Sequence, residues 1–216
     1  MNNFFDSIAL RVDVSKNIGI GHLIRLTNFV KFLKISKKKL FWFIKGDKTM
    51  ANKILKKNNL KNIFFLKERG KYKILNTIKK KNINLIIFDI SHKSYLIGNK
   101  LNNYLNFFKK NDLKIVSFDH PHKKTNSDLS IMPYTFKNYK NTKNNLKIKG
   151  HKYFIFPKEF EQTSKLKKKI KKNPENILIS LGGTDPKNVI ANILNQILSS
   201  NLNFKVKILY GFNKKA

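Results

Sequence analysis

The residues best suited to chemistry lie directly after the first apolar segment of the chain. Asp13 stands near the end of that segment, and Gly19, Gly21 and His22 follow where a helix is predicted to begin. Two glycines spaced Gly-x-Gly let the backbone turn tightly and approach a ligand closely. A histidine in the first helical turn lies at the positive end of the helix dipole, which disfavours imidazolium and keeps a neutral ring able to accept a proton. We therefore predict that His22 is catalytic, with simple capping of the helix as the structural alternative.

Charged residues around the same turn are predicted to bind the substrate. Arg25 is three residues after His22 and shares its face of the helix, so it can reach an anion bound at the N-terminus of that helix. Arg11 belongs to the strand that leads into the turn. The predicted substrate-binding residues of this first junction are Arg11, Asp13, Gly19, Gly21 and Arg25.

Two later strand ends carry further polar residues. Asp89 ends an apolar run, and Asp119 follows another, with His120 and His122 directly after it. Ligands of open parallel sheets bind outside the carboxyl ends of the strands, so Asp89 and Asp119 are predicted to line the same substrate site. Turn formation and solvation are the structural alternatives for each carboxylate. The two histidines have no third ligand at a suitable spacing, and we predict neither a metal site nor a cofactor.

A second glycine-containing turn lies near the end of the chain, between an apolar run and a predicted helix. Its residues Gly182, Gly183, Thr184 and Asp185 are predicted to bind a nucleotide, because backbone amides at a helix N-terminus receive a diphosphate well. A tight turn, with Asp185 as the N-cap and Pro186 at the first helical position, explains the same residues without a ligand. The two interpretations are compatible.

The elements that position these residues alternate between short apolar runs and amphipathic segments, which is typical of βαβ units. Strands are predicted over 8–14, 40–44, 62–66, 85–89, 113–118 and 129–132. Helices are predicted over 22–35, 48–57, 72–80 and 96–110. The pattern indicates an α/β fold with a Rossmann-like parallel sheet whose strands are covered on both faces.

Three parts are expected along the chain: an N-terminal Rossmann-like catalytic domain over 1–135, a linker with a connecting helix over 136–173, and the start of a C-terminal nucleotide-binding domain over 174–216. The linker is predicted to lack periodic structure over 136–149 and to be helical over 161–172. The last part reads as a buried strand over 176–181, a helix over 187–198 and a strand over 204–210. Two strands and one helix cannot cover both faces of a parallel sheet. We therefore expect an incomplete second Rossmann-like domain, completed by a partner or by further chain.

Composition narrows the function classes. The chain has no Cys, which excludes disulfides and thiolate metal sites, and it shows neither a signal peptide nor an apolar run of the roughly 20 residues that span a membrane. These features indicate a cytoplasmic protein without a membrane partner. The net charge of +34 favours polyanions, but the Lys residues are dispersed and Arg occurs only three times. No specific nucleic acid partner is expected, and a basic nucleic-acid-binding protein is kept as a remote alternative.

Three sequence blocks, in order, resemble a known family. They are Arg11-Val12-Asp13 followed by IGIGHLIR over 18–25, then Gly150-His151-Lys152-Tyr153 with Glu159-Phe160 behind it, and ISLGGTDP over 179–186. The first block resembles the N-terminal motif of the UDP-sugar hydrolase of pseudaminic acid biosynthesis. That enzyme belongs with the spore-coat polysaccharide glycosyltransferase-like proteins, which are related in architecture to GT-B glycosyltransferases.

The resemblance implies hydrolysis of a UDP-linked trideoxy diacetamido sugar to UDP and free sugar without a metal. It maps the base that activates water onto His22 and places the second glycine block near the nucleotide. The family carries Asp-His-Tyr after the fourth strand, where this chain has Asp89-Ile90-Ser91, and paired Asp where it has Asp119-His120. The first difference favours the alternative function, a sugar-nucleotide-dependent glycosyltransferase of surface polysaccharide synthesis. An inactive fragment is a further alternative.

Overall fold

The structure of the chain, a computed structural model, describes residues 6–33, 35–67, 70–90, 99–118, 126–134, 146–166, 175–181, 185, 187–200 and 203–209. The strands in these ranges are β1 Ile8–Val14, β2 Leu40–Gly46, β3 Ile63–Leu66, β4 Leu85–Asp89, β5 Lys114–Phe118, β6 Leu129–Met132, β7 Leu146–Lys149, β8 Asn176–Ser180 and β9 Lys205–Leu209. The α-helices are α1 Gly21–Phe32, α2 Lys48–Lys57, α3 Gly70–Lys80, α4 Lys100–Lys109, α5 Phe160–Thr163 and α6 Val189–Ser199.

The first seven strands form one sheet in the order β3-β2-β1-β4-β5-β6-β7, and every pair in it is parallel. The chain builds outward from β1 to β3, then crosses back to β4 and continues on the other side. The winding therefore reverses between β1 and β4, which opens a crevice at the carboxyl ends of these two strands. The predicted α/β class with a Rossmann-like parallel sheet is confirmed.

Alternation along β1 divides the core into two layers. Its even-numbered residues, from Ile8 to Val14, pack with α1 and α2 on one face of the sheet. Ala9 instead packs with α3 and α4 on the opposite face. Because side chains of a strand alternate between faces, Arg11 and Asp13 project from the side of Ala9, away from α1.

Most predicted elements are present, with small shifts at their ends. β1, α2, β4 and β6 have the predicted bounds, and β5 begins one residue later than predicted. α1 runs over Gly21–Phe32 instead of 22–35 and is followed by a 3-10 turn at Lys37–Lys39. Only Lys100–Lys109 of the helix predicted over 96–110 is described as helix, and residues 96–98 lie outside the described ranges.

The segment predicted as a linker differs from expectation in two places. Residues 146–149, predicted to lack periodic structure, form β7, which pairs with β6 and places Ile148 against the core. Lysines alternate with its two apolar residues and obscure the strand pattern. The helix predicted over 161–172 is confined in the described residues to α5, which ends at Thr163. There the Thr163 and Ser164 hydroxyls bond backbone carbonyls of the preceding turn, which competes with helix continuation.

β8 and β9 form a separate two-stranded parallel sheet. β8 was predicted to be buried, but Ile179 is its one buried residue and Leu178 is largely exposed. The physical reason is that α6, the helix described between these strands, is amphipathic and can cover one face only. The domain boundaries 1–135, 136–173 and 174–216 stay a prediction. Within the described ranges, every helix is too short or too polar to span a lipid bilayer.

Candidate functional site at the switch point

The connection between β1 and α1 is a tight turn. The Gly19 amide donates to the Ser15 carbonyl at 2.7 Å, and the Ile18 amide donates to the Ser15 hydroxyl at 3.1 Å. Gly19 has φ +79°, a conformation that residues with a Cβ rarely adopt. Among the described residues, a Cβ added at Gly21 would meet no atom within 4 Å, so that part of the chain leaves space in front of the helix N-terminus. Gly19 therefore allows the tight turn, and Gly21 leaves space at the N-terminus of α1.

Helix α1 begins without a side-chain cap among the described residues, and its first turn holds no acidic residue. The first amides of a helix lack intrahelical partners and carry the positive end of the helix dipole. This helix N-terminus points to the carboxyl edge of the sheet, next to the switch point. It is suited to an anion.

His22 is held by a carboxylate from the neighbouring strand, and the capping alternative is not what the structure has. Its Nδ1 lies 2.7 Å from Oδ1 of Asp89, and the His22 side chain is 22% exposed. An ionised carboxylate only accepts hydrogen bonds, so Nδ1 donates its proton in this contact. Arg25 Nη2, which is itself only a donor, lies 3.3 Å from the same Nδ1, and that longer contact is then not a hydrogen bond. In the neutral ring, Nε2 is then the unprotonated nitrogen and a proton acceptor.

Arg25 grips the same carboxylate with two hydrogen bonds. Its Nε donates to Asp89 Oδ2 at 2.8 Å and its Nη2 to Asp89 Oδ1 at 2.6 Å. The guanidinium carbon lies 5.0 Å from the ring centre of Phe118 and 5.8 Å from that of Tyr134. The arginine is thus fixed by a bidentate ion pair and two aromatic rings. This arrangement suits Arg25 to positioning Asp89 more than to binding a substrate anion.

Asp89 is ionised within this cluster. Burial by itself would raise the pKa of its carboxyl, but the hydrogen bonds from His22 and Arg25, together with the Arg25 charge, outweigh that effect and lower the pKa. The side chain is 1% exposed and both its oxygens are occupied. Asp89 therefore lies beneath His22 and Arg25, as the support of the cluster.

Arg11 and Asp13 lie on the other face of the sheet. Arg11 Nη2 is 2.7 Å from Asp13 Oδ1, and both side chains are almost completely buried. Arg11 Nη1 also donates to the Val12 carbonyl at 2.6 Å. The structure therefore does not bring these two predicted substrate-binding residues together with the His22 cluster.

The remaining predicted residues are only partly described. Asp119, Gly182, Gly183 and Thr184 lie outside the described residues. Asp185 accepts from the Val189 amide with Oδ1 and from the Ile190 amide with Oδ2, both at 2.9 Å. This carboxylate thus accepts from the first two amides of α6, but the N-cap position is Asn188, so the prediction of Asp185 as the N-cap is wrong by three residues. Pro186 lies outside the described residues.

Two residues near the site escaped the sequence analysis. Tyr134 follows β6, and no pattern in the sequence linked it to Arg25. Gly46 ends β2 with φ +119°, and a Cβ there would lie 1.8 Å from the Val14 carbonyl oxygen. Its signal was a glycine directly after an apolar run, which marks a close approach of two backbones.

No protein-family model matches the chain. The chain superposes on the crystal structure of MurG from Acinetobacter baumannii with a TM-score of 0.50 at 11% identity, covering 97% of this chain and 69% of that one. The fold is GT-B-like. A glycosyltransferase from Rickettsia africae ESF-5 gives a TM-score of 0.48 at 14% identity, covering 96% of this chain and 69% of that chain.

In sequence, the chain is similar to an uncharacterized protein of Methanocaldococcus jannaschii. The two are 27% identical in an alignment 216 positions long, which covers 94% of this chain and 42% of that protein. The chain thus spans about two fifths of that relative's length.

Proposed function

We propose that the chain carries the catalytic base of a sugar-nucleotide-dependent glycosyltransferase. The observation on which this rests is the His22–Asp89 contact of 2.7 Å at the switch point, because it leaves Nε2 as the ring nitrogen that can accept a proton. The GT-B-like fold supports a nucleotide-linked sugar as the donor class. Surface polysaccharide synthesis is the setting that the sequence resemblance suggests.

In the proposed reaction, Nε2 of His22 removes the proton of an acceptor hydroxyl. The acceptor oxygen forms a bond to the anomeric carbon of the donor sugar, and the bond from that carbon to the diphosphate oxygen breaks. The diphosphate leaves with the electron pair as UDP. General-base catalysis of this kind contributes roughly 10²- to 10⁴-fold in rate.

Asp89 and Arg25 act through His22 in this proposal. Asp89 fixes the ring orientation and the Nδ1 proton, and Arg25 fixes Asp89 with its two hydrogen bonds. The uncapped start of α1 and the open space at Gly21 support a diphosphate close to the helix amides. Residues 182–184 stay a prediction as the second nucleotide-binding segment, whereas Arg11 and Asp13 are proposed as a structural pair.

Hydrolysis of a UDP-linked trideoxy diacetamido sugar is the second candidate. It is favoured by the resemblance of residues 11–25 to the UDP-sugar hydrolase motif. In that reaction, water replaces the acceptor hydroxyl and His22 removes a proton from the water. The chemistry at the anomeric carbon is otherwise the same, so the same side chains serve both candidates.

One experiment tests the proposal and separates the two candidates. The protein is incubated with a panel of UDP-sugars in ¹⁸O-labelled water, with and without saccharide acceptors, and the products are identified by mass spectrometry. Glycosylated acceptor without labelled free sugar indicates transfer, and labelled free sugar indicates hydrolysis. His22→Ala should lower either activity roughly 10²- to 10⁴-fold with unchanged thermal unfolding. Full activity in this variant would contradict the role of His22, and loss of folding would favour a structural one.

A further inference from the structure

A row of four aromatic side chains leads away from the His22 cluster. Tyr134 contacts Phe154 with ring centres 4.5 Å apart, Phe154 stacks on Phe156 at 5.4 Å, and Phe156 stacks on Phe160 at 5.6 Å. We call Tyr134, Phe154, Phe156 and Phe160 the aromatic strip. It begins at the candidate site, because the Arg25 guanidinium lies against Tyr134.

The strip is exposed although aromatic rings normally lie inside a protein. Tyr134 is 60% exposed, Phe156 52% and Phe160 55%. Exposed apolar patches next to a polar site mark contacts with ligands or partners. Each of these rings is also held by a ring neighbour, so the strip is ordered before any ligand arrives.

The charge around the strip is nearly balanced. Residues 152–165 contain three Lys and two Glu, which gives a net charge of +1, whereas the whole chain carries +34. Glu159 and Glu161 flank Phe160 and are exposed. The two carboxylates offer acceptors to hydroxyl groups, and a nearly balanced charge suits an uncharged ligand.

We propose that the aromatic strip binds an uncharged oligosaccharide, which is the acceptor of the proposed transferase. Pyranose rings combine apolar C–H faces with hydroxyl edges. The C–H faces suit the negative faces of exposed rings, and the hydroxyl edges suit Glu159 and Glu161. Because the strip begins at Arg25, a saccharide on it leads toward His22. The inference rests on the proposed function for the acceptor role only; the saccharide binding is testable separately.

The test measures binding of chitotetraose, cellotetraose and maltotetraose to the full chain by saturation-transfer NMR and calorimetry. We expect at least one tetrasaccharide to bind, and Phe156→Ala and Phe160→Ala each to weaken that binding roughly tenfold, the size of effect that one stacked ring gives elsewhere. Phe156→Tyr should retain binding because it keeps the ring. Phe32→Ala is the matched control, since Phe32 is equally exposed at 52% but lies outside the strip.

The binding results test the saccharide surface and the proposed function separately. Absence of tetrasaccharide binding, or equal binding by the strip variants and Phe32→Ala, overturns the inference. Binding of phosphatidylglycerol vesicles that is lost in Phe156→Ala overturns it in favour of a membrane surface. UDP binding is measured on the same samples. If UDP binds but no tetrasaccharide does, the inference is overturned and the proposed function stands. If a tetrasaccharide binds on the strip without UDP binding or turnover, the saccharide surface is supported and the proposed transferase is contradicted.

Discussion

Two arginine–aspartate pairs lie near the switch point of the sheet, and they differ in what surrounds them. Arg25 and Asp89 occupy the α1 face, where Asp89 contacts His22 and Arg25 lies against the exposed ring of Tyr134. Arg11 and Asp13 occupy the opposite face and are almost completely buried. The same residue types thus hold the proposed base His22 in one place and form an internal ion pair in the other. Position in the sheet, and not residue type, distinguishes them.

The largest expected effect concerns the stability contributed by the buried pair. Arg11→Met leaves Asp13 buried without its guanidinium, which should lower the free energy of unfolding by about 3–5 kcal/mol. The double replacement Arg11→Met with Asp13→Leu should restore most of that loss, because it removes both charges. Urea denaturation measures both. If Arg11→Met is as stable as the parent, the pair on this face is not a structural one.

A smaller effect is expected for the support of His22. Asp89→Asn keeps the shape of the side chain but removes the acceptor charge, so the ring loses its fixed tautomer. Turnover should fall roughly 10- to 100-fold or more, 10- to 100-fold being the loss found when the carboxylate behind a metal-bound histidine is replaced. The KM for the donor should change little. A changed KM with unaltered kcat would instead indicate direct substrate binding by Asp89, as the sequence analysis predicted.

The open space at Gly21 allows a test that barely disturbs the fold. Gly21→Ala meets no atom of the described residues within 4 Å, and alanine is the better helix former, so stability should not fall. The added methyl group should keep the diphosphate of the donor away from the helix amides. Loss of one hydrogen bond to this charged group should raise the KM for the donor roughly tenfold. Gly150→Ala is the control, since its φ of +98° predicts lower stability with an unchanged KM. An unchanged KM in Gly21→Ala would argue against a diphosphate at this helix.

The smallest effect concerns acid stability. The pKa of Asp89 is lower in the folded chain than its ordinary value, so the carboxylate stabilises the fold above about pH 4, and this contribution is lost as the pH falls through the folded pKa. Asp89→Asn should therefore show a shallower loss of stability below that pH than the parent. Identical acid unfolding curves for the two proteins would contradict the ion pair.

The sequence reveals the elements more completely than it reveals the site. Apolar runs mark β2 and β4 because strands covered on both faces are nearly continuously apolar. β7 was missed because its lysines mask a strand whose Ile148 faces the core. Local patterns find an element by its own composition, so edge strands are the weak point.

The site depends on contacts that local patterns do not contain. His22 and Asp89 are 67 residues apart, and they meet because register pairs Val12 with Asp89 and so places that carboxylate on the α1 face. Arg11 and Asp13 have the opposite parity in β1, and the sequence does not reveal which face α1 covers. The sequence could therefore predict all of these residues as candidates, but it could not show on which face of the sheet each one lies.

The most direct test of the account is the protonation of the His22 ring, read from the ¹⁵N chemical shifts of its two nitrogens by NMR near neutral pH. The account predicts that the neutral ring carries its proton on Nδ1, toward Asp89, and that this preference is lost in Asp89→Asn. A neutral ring protonated on Nε2 in the parent protein would contradict the account, because the nitrogen proposed to accept the proton would already hold one.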